Sequence, residues 1–328
     1  MKKILVTGAS GYLGSHISLY LAKNNYKVTA LCYPKPSEQN KWQKTIDNII
    51  VGDIRDKKVI DKLTKQDYDI IIHLISLDHK SSENSPSVIS QINVMPAWQL
   101  LDIFTKKRIE KFIYFSTQQV FGKIPQKNID ENFLPKPLNN YGLTHLLCEK
   151  IVNFYNNTAD TKCINIRLSN GYGSPVFKDN NCWWLVVNDL CKTAFFDKKI
   201  KLLSDGSPQR DFIYVKDIAK AVKTLIETKN SDLQNNIFHI SSGNTLTILE
   251  LAYIVKDVYQ TRYNKKISVY LPDGSISDNA NKFKNIKRYT IDNSKIKNLG
   301  FKAETNLFEG INELFEYLEK NENTGIQL

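Results

Sequence analysis

The chain has 328 residues, enough for one large α/β domain or two smaller ones, with 41% hydrophobic and 24% charged residues and a net charge of +11. These values are typical of a soluble globular protein and exclude a largely disordered or membrane-embedded chain. The lysines are spread along the chain, with one short cluster at residues 106–108, so the charge indicates a solvated surface rather than a nucleic-acid-binding stripe.

The amino-terminal stretch and the cysteines favour a cytoplasmic protein. The apolar run in MKKILVTGASGYLG is interrupted by Gly8 and Gly11 and is too short for the core of a signal peptide. The cysteines form no C-x-x-C pair and have no metal-like spacing with the histidines, so we expect reduced, mostly buried thiols and no metal site. These cysteines are Cys32, Cys148, Cys163, Cys182 and Cys191.

The first half of the chain alternates short apolar runs with longer helical patterns. This alternation is typical of βαβ units and a parallel sheet, whose strands are apolar on both faces because helices cover both sides. The predicted strands are KILVTG, followed by a helix from about Gly14, KVTALC ending near Cys32, NIIVGD ending at Asp53, YDIIIHLIS ending near Ser76, KFIYFS ending at Ser116 and CINIRLS ending near Ser169.

The pattern changes after about Gly173. There, NNCWWLVVNDLCKTAFF is predicted to be helical, IKLLSDGSPQRDFIYV to hold two short extended pieces, and TLTILELAYIVKDVY to form an amphipathic helix. No linker rich in proline, glycine or serine separates the halves. We therefore predict an α/β protein with a doubly wound parallel sheet over residues 1–173 and a smaller α/β substrate-binding lobe over residues 174–328, with some chain exchanged between the lobes.

The stretch VTGASGYLG places Gly8, Gly11 and Gly14 between the first predicted strand and the first helix. Glycine here lets the backbone turn tightly, approach a pyrophosphate and pack the helix near the sheet, with the phosphates at the helix N-terminus. The sequence therefore predicts a Rossmann-type dinucleotide-binding domain. Its G-x-x-G-x-x-G spacing differs from the G-x-G-x-x-G of most dinucleotide-binding folds.

Further motifs follow along the chain. They are VGDIRD with Asp53, HLIS from His73 to Ser76, INV with Asn93, FSTQQVFG with Thr117 and then Tyr141 24 residues later, RLSNGYG with Asn170, and PQRDFIYVKDIA with Arg210. Together with the glycine spacing, they resemble the extended branch of the short-chain dehydrogenase/reductase family, which contains nucleotide-sugar epimerases, reductases and dehydratases. The resemblance covers nearly the whole chain.

The resemblance implies a cofactor site and a nucleotide-sugar site. In the family, the aspartate at the position of Asp53 contacts the adenine, the asparagine at Asn170 contacts the substrate diphosphate, and the arginine at Arg210 grips the nucleotide sugar. The implied cofactor-binding residues are Gly8, Gly11, Tyr12, Leu13, Gly14, Cys32, Lys35, Asp53, Ile54, Leu74, Ile75, Ser76, Asn93, Ser116, Tyr141 and His145. The implied substrate-binding residues are Thr117, Gln118, Asn170 and Arg210.

The implied chemistry is hydride transfer between a sugar carbon and a nicotinamide, with Tyr141 moving the hydroxyl proton and Thr117 orienting the sugar oxygen. The family places a lysine four residues after the tyrosine, where its charge lowers the phenol pKa by about three units. This chain has His145 at that position. An ordinary histidine is charged in only about a quarter of molecules at pH 7.

Three interpretations of His145 stay open. It acts as a cation or proton relay, Lys150 or another lysine takes the missing place, or the site has lost its redox chemistry. Lys150 lies about two and a half helical turns beyond Tyr141, which is too far to help directly. If a charged His145 drives the reaction, turnover should fall steeply at high pH.

The residues after Thr117 bear on the type of reaction. The 4,6-dehydratases of the family carry an Asp-Glu pair there, whereas this chain has Gln118 and Gln119, and neither amide can act as an acid or a base. We therefore expect an epimerase that acts at C4 rather than a dehydratase. The alternatives are a reductase or dehydrogenase that exchanges its cofactor and a catalytically degenerate dinucleotide-binding protein.

The second predicted strand bears on the choice of cofactor. It ends in Cys32, where NAD enzymes usually place an aspartate on the adenine ribose, and Lys35 follows shortly after. With no carboxylate to repel a 2′-phosphate, NADP is slightly favoured over NAD. The family usually dimerises through the helix that bears the tyrosine, and the apolar Leu143, Leu146 and Leu147 are compatible with a homodimer. We expect no nucleic-acid or membrane partner.

Overall fold

The computed structural model describes residues 1–36, 41–83, 85–125, 127–233 and 235–322. Its strands are β1 (Lys3–Thr7), β2 (Lys27–Cys32), β3 (Asn48–Val51), β4 (Ile70–His73), β5 (Lys111–Thr117), β6 (Asn128–Ile129), β7 (Lys162–Leu168), β8 (Asn170–Tyr172), β9 (Ile200–Lys201), β10 (Gln209–Tyr214), β11 (Ile237–Ile240), β12 (Thr245–Thr247), β13 (Val269–Tyr270) and β14 (Thr290–Ile291). Its α-helices are α1 (Tyr12–Lys23), α2 (Lys41–Thr45), α3 (Lys57–Thr64), α4 (Pro86–Ile89), α5 (Met95–Lys106), α6 (Asn140–Thr158), α7 (Val186–Asp197), α8 (Val215–Glu227), α9 (Ile248–Tyr263), α10 (Ser294–Lys297) and α11 (Leu307–Glu322).

A seven-stranded parallel sheet in the order β11-β7-β5-β4-β1-β2-β3 forms the centre of the molecule. Its inner strands are buried on both faces, as in β4, where every residue is buried, whereas the edge strand β3 is only partly buried. The strand order reverses beside β1, so a crevice opens at the carboxyl ends of β1 and β4, the usual ligand site of such sheets. The structure thus confirms the predicted Rossmann-type doubly wound sheet.

The second half of the chain builds small sheets and an additional helical layer. β8, β10 and β12 form one sheet, β9 pairs with β13, and β6 pairs with β14. α7, α9 and α11 pack around a separate apolar cluster that includes Leu190, Leu249 and Phe315. β11 pairs with β7 in the large sheet, and α8 packs against α1. The expected exchange of chain between lobes remains a prediction. The division into two lobes at residue 173 remains a prediction.

The helix predicted over NNCWWLVVNDLCKTAFF starts later than expected, at Val186. The residues before it form a loop held by Asn180. The side-chain nitrogen of Asn180 donates to the carbonyl oxygen of Ser10 at 2.8 Å, and its backbone carbonyl oxygen accepts from the Cys182 amide. These bonds use backbone groups in a non-helical arrangement, which asparagine favours. The loop is thereby fixed against the glycine loop.

All five cysteines are buried and free, as expected. Among the described residues, no helix is both long and apolar enough to cross a membrane.

A buried ion pair joins α6 to the central sheet. Glu149 on α6 and Arg167 on β7 have side chains only 2% and 3% exposed and lie 2.8 Å apart. The Arg167 Nε also donates to Glu149, and the Ser116 hydroxyl at the end of β5 donates to the same carboxylate at 2.6 Å. The Arg167 guanidinium further donates to the Glu131 carbonyl oxygen and lies 5.0 Å from the Phe121 ring centroid. The carboxylate therefore fixes α6 against β5 and β7.

The substitution Arg167→Met leaves the Glu149 carboxylate buried without its partner, so the free energy of unfolding should fall by about 3–5 kcal/mol in urea titrations. The double variant Glu149→Leu/Arg167→Met should recover at least half of that loss, because replacing both members of a buried pair is often neutral. Lys2→Met, which breaks the exposed pair with Glu110, serves as the control and should change little. A loss below about 1 kcal/mol in the single variant would contradict the assignment.

Candidate active site

The glycine loop after β1 forms one end of the site. Gly8 has a φ of +72°, and a Cβ atom there would lie 3.3 Å from the backbone carbonyl carbon of Leu74. A Cβ atom on Gly14 would lie 2.1 Å from the Gly8 carbonyl oxygen, so α1 approaches β1 this closely only with glycine. α1 follows Gly11 with no side chain capping its first turn. Its free amide groups fit a pyrophosphate, in agreement with the predicted dinucleotide.

The ends of β2 and β3 lie along the same carboxyl edge of the sheet. Cys32 is fully buried, and this burial raises the pKa of its thiol to about 11. Asp53 pairs with Arg55, whose guanidinium nitrogen lies 2.5 Å from the carboxylate and lowers its pKa. Ile54 is buried and Lys35 is exposed. Arg55, the cation that accompanies Asp53, was not among the residues predicted from the sequence.

A cleft of about 390 Å³ extends from the glycine loop along the ends of β1, β4 and β5. Most of the predicted site residues line it: Gly8, Gly11, Tyr12, Leu13, Gly14, Leu74, Ser76, Ser116, Thr117, Gln118, Tyr141, His145 and Asn170. The cleft is also lined by residues that the sequence analysis did not select, among them Asp78, His79, Asn181, Trp184 and Leu185. Asp78 and His79 follow β4, and polar residues after the carboxyl end of a parallel strand often indicate a ligand site, so the sequence could have revealed them. The other three come from the loop before α7, for which the sequence holds no such signal.

The other predicted residues, Cys32, Lys35, Asp53, Ile54, Ile75, Asn93 and Arg210, are not among those that line this cleft. Asn93 acts behind it, because its side chain accepts from the Leu77 amide at 2.8 Å and donates to the Thr144 hydroxyl at 3.1 Å. It thereby holds the loop after β4 against α6. Arg210 is exposed on β10 and donates to the Gln209 carbonyl oxygen.

Thr117 and Tyr141 meet in the cleft. Thr117 ends β5 and accepts from the Gln119 amide at 3.2 Å. Tyr141 lies in the first turn of α6, which begins after Asn139, whose side chain accepts from the Gly142 amide at 2.7 Å. Burial and the negative charge of Asp78 raise the pKa of Tyr141 to about 12, while hydrogen bonding with Thr117 opposes this rise.

His145 lies one helical turn after Tyr141, with the two ring centroids 4.5 Å apart. Its Nδ1 is 2.8 Å from the Tyr114 hydroxyl and its Nε2 is 3.2 Å from the Ser76 hydroxyl. The ring is 3% exposed, and burial lowers its pKa to about 4 although the Phe115 carbonyl oxygen opposes the shift. Burial therefore favours the neutral imidazole at pH 7, because a charge here would be buried without a counterion among the described residues around it. The interpretation of His145 as a cation stays a prediction, and the burial of the ring argues against it.

No lysine replaces the missing cation among the described residues that line the cleft. Lys150 lies on another face of α6, beside Trp98 and Phe154 at a separate surface depression. The interpretation that Lys150 takes the place of the family lysine therefore fails on position.

Comparison with protein-family models gives a match to the family described as NAD dependent epimerase/dehydratase, over residues 4–241. The chain belongs to this family. It is accordingly an enzyme of the NAD-dependent nucleotide-sugar epimerases and dehydratases, and the resemblance drawn from its motifs is confirmed.

Several relatives span essentially the whole chain. A candidate UDP-glucose 4-epimerase of Methanocaldococcus jannaschii is 28% identical over 98% of this chain and 100% of its own length. The human dTDP-D-glucose 4,6-dehydratase is 25% identical over 98% of this chain and 91% of its own length. The structure of the Thermotoga maritima UDP-glucose 4-epimerase with UDP-glucose has a TM-score of 0.81 at 23% identity, covering 97% of this chain and 99% of the other. This last likeness shows the fold.

The presence of dehydratases among these relatives bears on the reaction type. The expectation that the chain is not a dehydratase rested on Gln118 and Gln119, and the comparisons do not support it. The family fixes the class of enzyme and leaves the choice between epimerisation and dehydration to experiment.

The buried ring of His145 should titrate with a pKa of about 4, so its imidazole NMR signals should keep the neutral chemical shifts between about pH 6 and 9. Comparison with the spectrum of His145→Gln assigns the signals. A measured pKa at or above the ordinary value of 6.5 would contradict the assignment and restore the cationic interpretation.

Proposed function

We propose that the protein is a nucleotide-sugar epimerase that oxidises and re-reduces one carbon of the sugar ring, most directly C4, with a retained nicotinamide dinucleotide. The observation that carries this proposal is the meeting of Thr117 and Tyr141 in the cleft that begins at the glycine loop. The names of two similar proteins support it: the Thermotoga structure is that of a UDP-glucose 4-epimerase, and the Methanocaldococcus relative is a candidate UDP-glucose 4-epimerase.

Each part of the cleft has a role in this reaction. The uncapped amides at the start of α1 bind the pyrophosphate. A nicotinamide dinucleotide held there would supply the hydride acceptor and donor. Tyr141 takes the proton from the sugar hydroxyl, and Thr117 holds the same oxygen by a hydrogen bond. Gln118 also lines the cleft, and its side-chain oxygen is buried without a partner in the described part of the chain.

We assign His145 a positioning role. Both of its ring nitrogens are engaged, by Tyr114 and Ser76, and its ring meets that of Tyr141 edge to face at an angle of 67°. The neutral imidazole fixes the orientation of the phenol rather than lowering its pKa. The expected steep loss of turnover at high pH depended on a charged His145, and the burial of the ring argues against that charge.

Other reactions remain as alternatives. A reductase or dehydrogenase would use the same Thr117 and Tyr141 but exchange its cofactor in each turnover. A dehydratase would release water and form a keto sugar, for which the dehydratase relatives are the supporting observation. A catalytically degenerate dinucleotide-binding protein would bind the cofactor and transfer no hydride.

We propose NAD as the retained cofactor. The family is described as NAD dependent, and the Bacillus cereus UDP-glucuronic acid 4-epimerase, a structural neighbour at 24% identity with a TM-score of 0.76, is in complex with NAD. The expected preference for NADP gains no support from these findings. It rested on Cys32 and Lys35, and residues 37–40, which follow Lys35 closely, lie outside the described residues. A cytoplasmic location remains a prediction.

Tyr141→Phe tests the proposal most directly. Removing the phenolic hydroxyl should lower turnover of a UDP-sugar by about 10²–10⁴-fold while the bound nucleotide is kept, because the variant loses its acid/base group only. The control is Tyr155→Phe, a tyrosine on the same helix whose hydroxyl lies 3.4 Å from Asp102 and outside the cleft. Unchanged turnover in Tyr141→Phe would contradict the proposed role.

Mass spectrometry of the denatured wild-type protein and of its products separates the alternatives. Retained NAD with an isomerised sugar supports the epimerase. An empty protein that reduces or oxidises a sugar only with added cofactor indicates an exchanging enzyme. A product lighter by one water indicates a dehydratase, and bound cofactor with no product indicates a degenerate site.

We further propose that the exposed apolar face of α5 and α6 joins a second copy of the chain. Leu143 and Leu147 are 45% and 46% exposed on α6, and Phe154 continues the same face at 59%. Met95 and Trp98 add an apolar strip on the neighbouring α5, at 52% and 47%. Two adjacent helices with such a face form a four-helix bundle when a second copy packs on them.

Leu146, the third leucine named from the sequence, does not belong to this face. It packs against an internal apolar cluster around Phe121 and Ile291. The helix thus directs Leu143 and Leu147, which are four residues apart, outward and Leu146 inward.

The double variant Leu143→Asp/Leu147→Asp should be monomeric by light scattering after size exclusion, with a mass near 37.7 kDa, whereas the wild type should show twice that mass. Two buried carboxylates would oppose an apolar interface. Leu203→Asp, at a leucine 95% exposed elsewhere, controls for the added charge. A wild-type monomer, or a double variant that stays dimeric, would contradict this assignment.

A further inference from the structure

The cleft is lined by a carboxylate and by no lysine or arginine among the described residues, although the chain has a net charge of +11. The one carboxylate among the described residues that line it is that of Asp78. The basic surface of the protein therefore does not extend into its own candidate active site. A negatively charged group on a bound sugar would therefore lie near Asp78, with no lysine or arginine in the cleft wall to compensate its charge.

Asp78 is held in position by its own loop. Its Oδ1 accepts from the Ser81 amide at 2.7 Å, and its carbonyl oxygen accepts from the Ser82 amide at 2.9 Å. Burial alone would raise the pKa of the carboxyl, but hydrogen bonds from Ser81 and Lys80 and the neighbouring His79 outweigh it, and the pKa lies below its ordinary value. Asp78 is therefore ionised at neutral pH.

The carboxylate acts on the reacting part of the cleft. Its charge contributes to the raised pKa of Tyr141, the residue proposed to exchange a proton with the sugar. The rings of His79, the next residue, and Trp184 have their centroids 6.3 Å apart, and both residues line the cleft. A sugar enclosed beside these rings would lose much of its water, which strengthens its interaction with the carboxylate.

We propose that Asp78 sets the charge specificity of the sugar site: the cleft accepts nucleotide sugars whose rings carry neutral substituents and rejects those whose sugar carries a carboxylate. This inference rests on the proposed function. Sugar hydroxyls donate hydrogen bonds to a carboxylate, whereas a uronic acid brings a like charge next to it. The chain would then share the fold of the Bacillus cereus UDP-glucuronic acid 4-epimerase but act on a different sugar.

Isothermal titration with NAD present, using UDP-glucose, UDP-glucuronic acid and UDP as probes, tests the inference. The wild type should bind UDP-glucose at least about tenfold more tightly than UDP-glucuronic acid, and Asp78→Asn should reduce this ratio by about tenfold, chiefly through tighter binding of the uronic acid. The asparagine keeps an oxygen that accepts from Ser81. Asp160→Asn makes the same charge change at an exposed site before β7, at the opposite edge of the sheet, and should leave the ratio unchanged.

Equal binding of both sugars by the wild type overturns the inference and leaves the proposed function standing. If the ratio of the two affinities is the same in Asp78→Asn as in the wild type, the inference is likewise overturned and the proposed function stands. The wild-type ratio tests the inference even if the variant does not fold. Binding of neither sugar, nor of UDP, overturns the proposed function and the inference together.

Discussion

The geometry of the site depends on the hydrogen bonds and the ion pair that the buried Glu149 carboxylate makes. This carboxylate accepts hydrogen bonds from Ser116, the residue before Thr117, and from Arg167 on the next strand, and it lies two turns after Tyr141 on α6. The Thr117 and Tyr141 hydroxyls thus belong to two elements joined behind the cleft. An apolar contact could provide similar stability, but several directional bonds to one carboxylate also define how α6 lies along β5.

The missing lysine and the charge of the cleft belong to one electrostatic arrangement. In the family pattern a cation sits beside the tyrosine, whereas here that position holds a histidine whose burial favours the neutral form, and a carboxylate lines the same cleft. The anionic pyrophosphate does not require a lysine, because uncapped amides at the start of α1 and the close glycine loop bind it through the backbone. Under the proposed function, the walls of the cleft can therefore lack side-chain cations without preventing the binding of the cofactor pyrophosphate.

The parts of this site that follow local rules were predictable from the sequence. Strands apolar on both faces indicate a parallel sheet, and their carboxyl ends share one edge, so Gly8, Ser76 and Thr117 were expected to meet. Contacts made by loops from distant parts of the chain carry no such signal. Trp184 reaches the cleft because Asn180 binds the glycine loop, a tertiary contact that also delays the start of α7.

The charge states of the site residues were harder to predict from the sequence than their positions along the chain. The sequence placed His145 correctly on the helix, but its protonation depends on burial and on the hydroxyls of Tyr114 and Ser76, neither of which can be read from helical spacing. The same holds for Asp53, whose pairing with Arg55 comes from a turn, and for Arg210, which the motif assigned to the nucleotide sugar but which is exposed outside the cleft.

These charge states constrain how Tyr141 can act. Burial and the negative Asp78 raise its pKa, the Thr117 hydrogen bond opposes them only in part, and neutral His145 adds no positive charge. The unliganded protein therefore holds Tyr141 as a phenol at neutral pH, ready to donate a proton rather than to accept one. Under the proposed function, a positive charge that favours the phenolate must arrive with the ligands, and an oxidised nicotinamide ring carries one. Acid/base chemistry at Tyr141 would then be coupled to cofactor occupancy, which suits an enzyme that keeps its cofactor through the cycle.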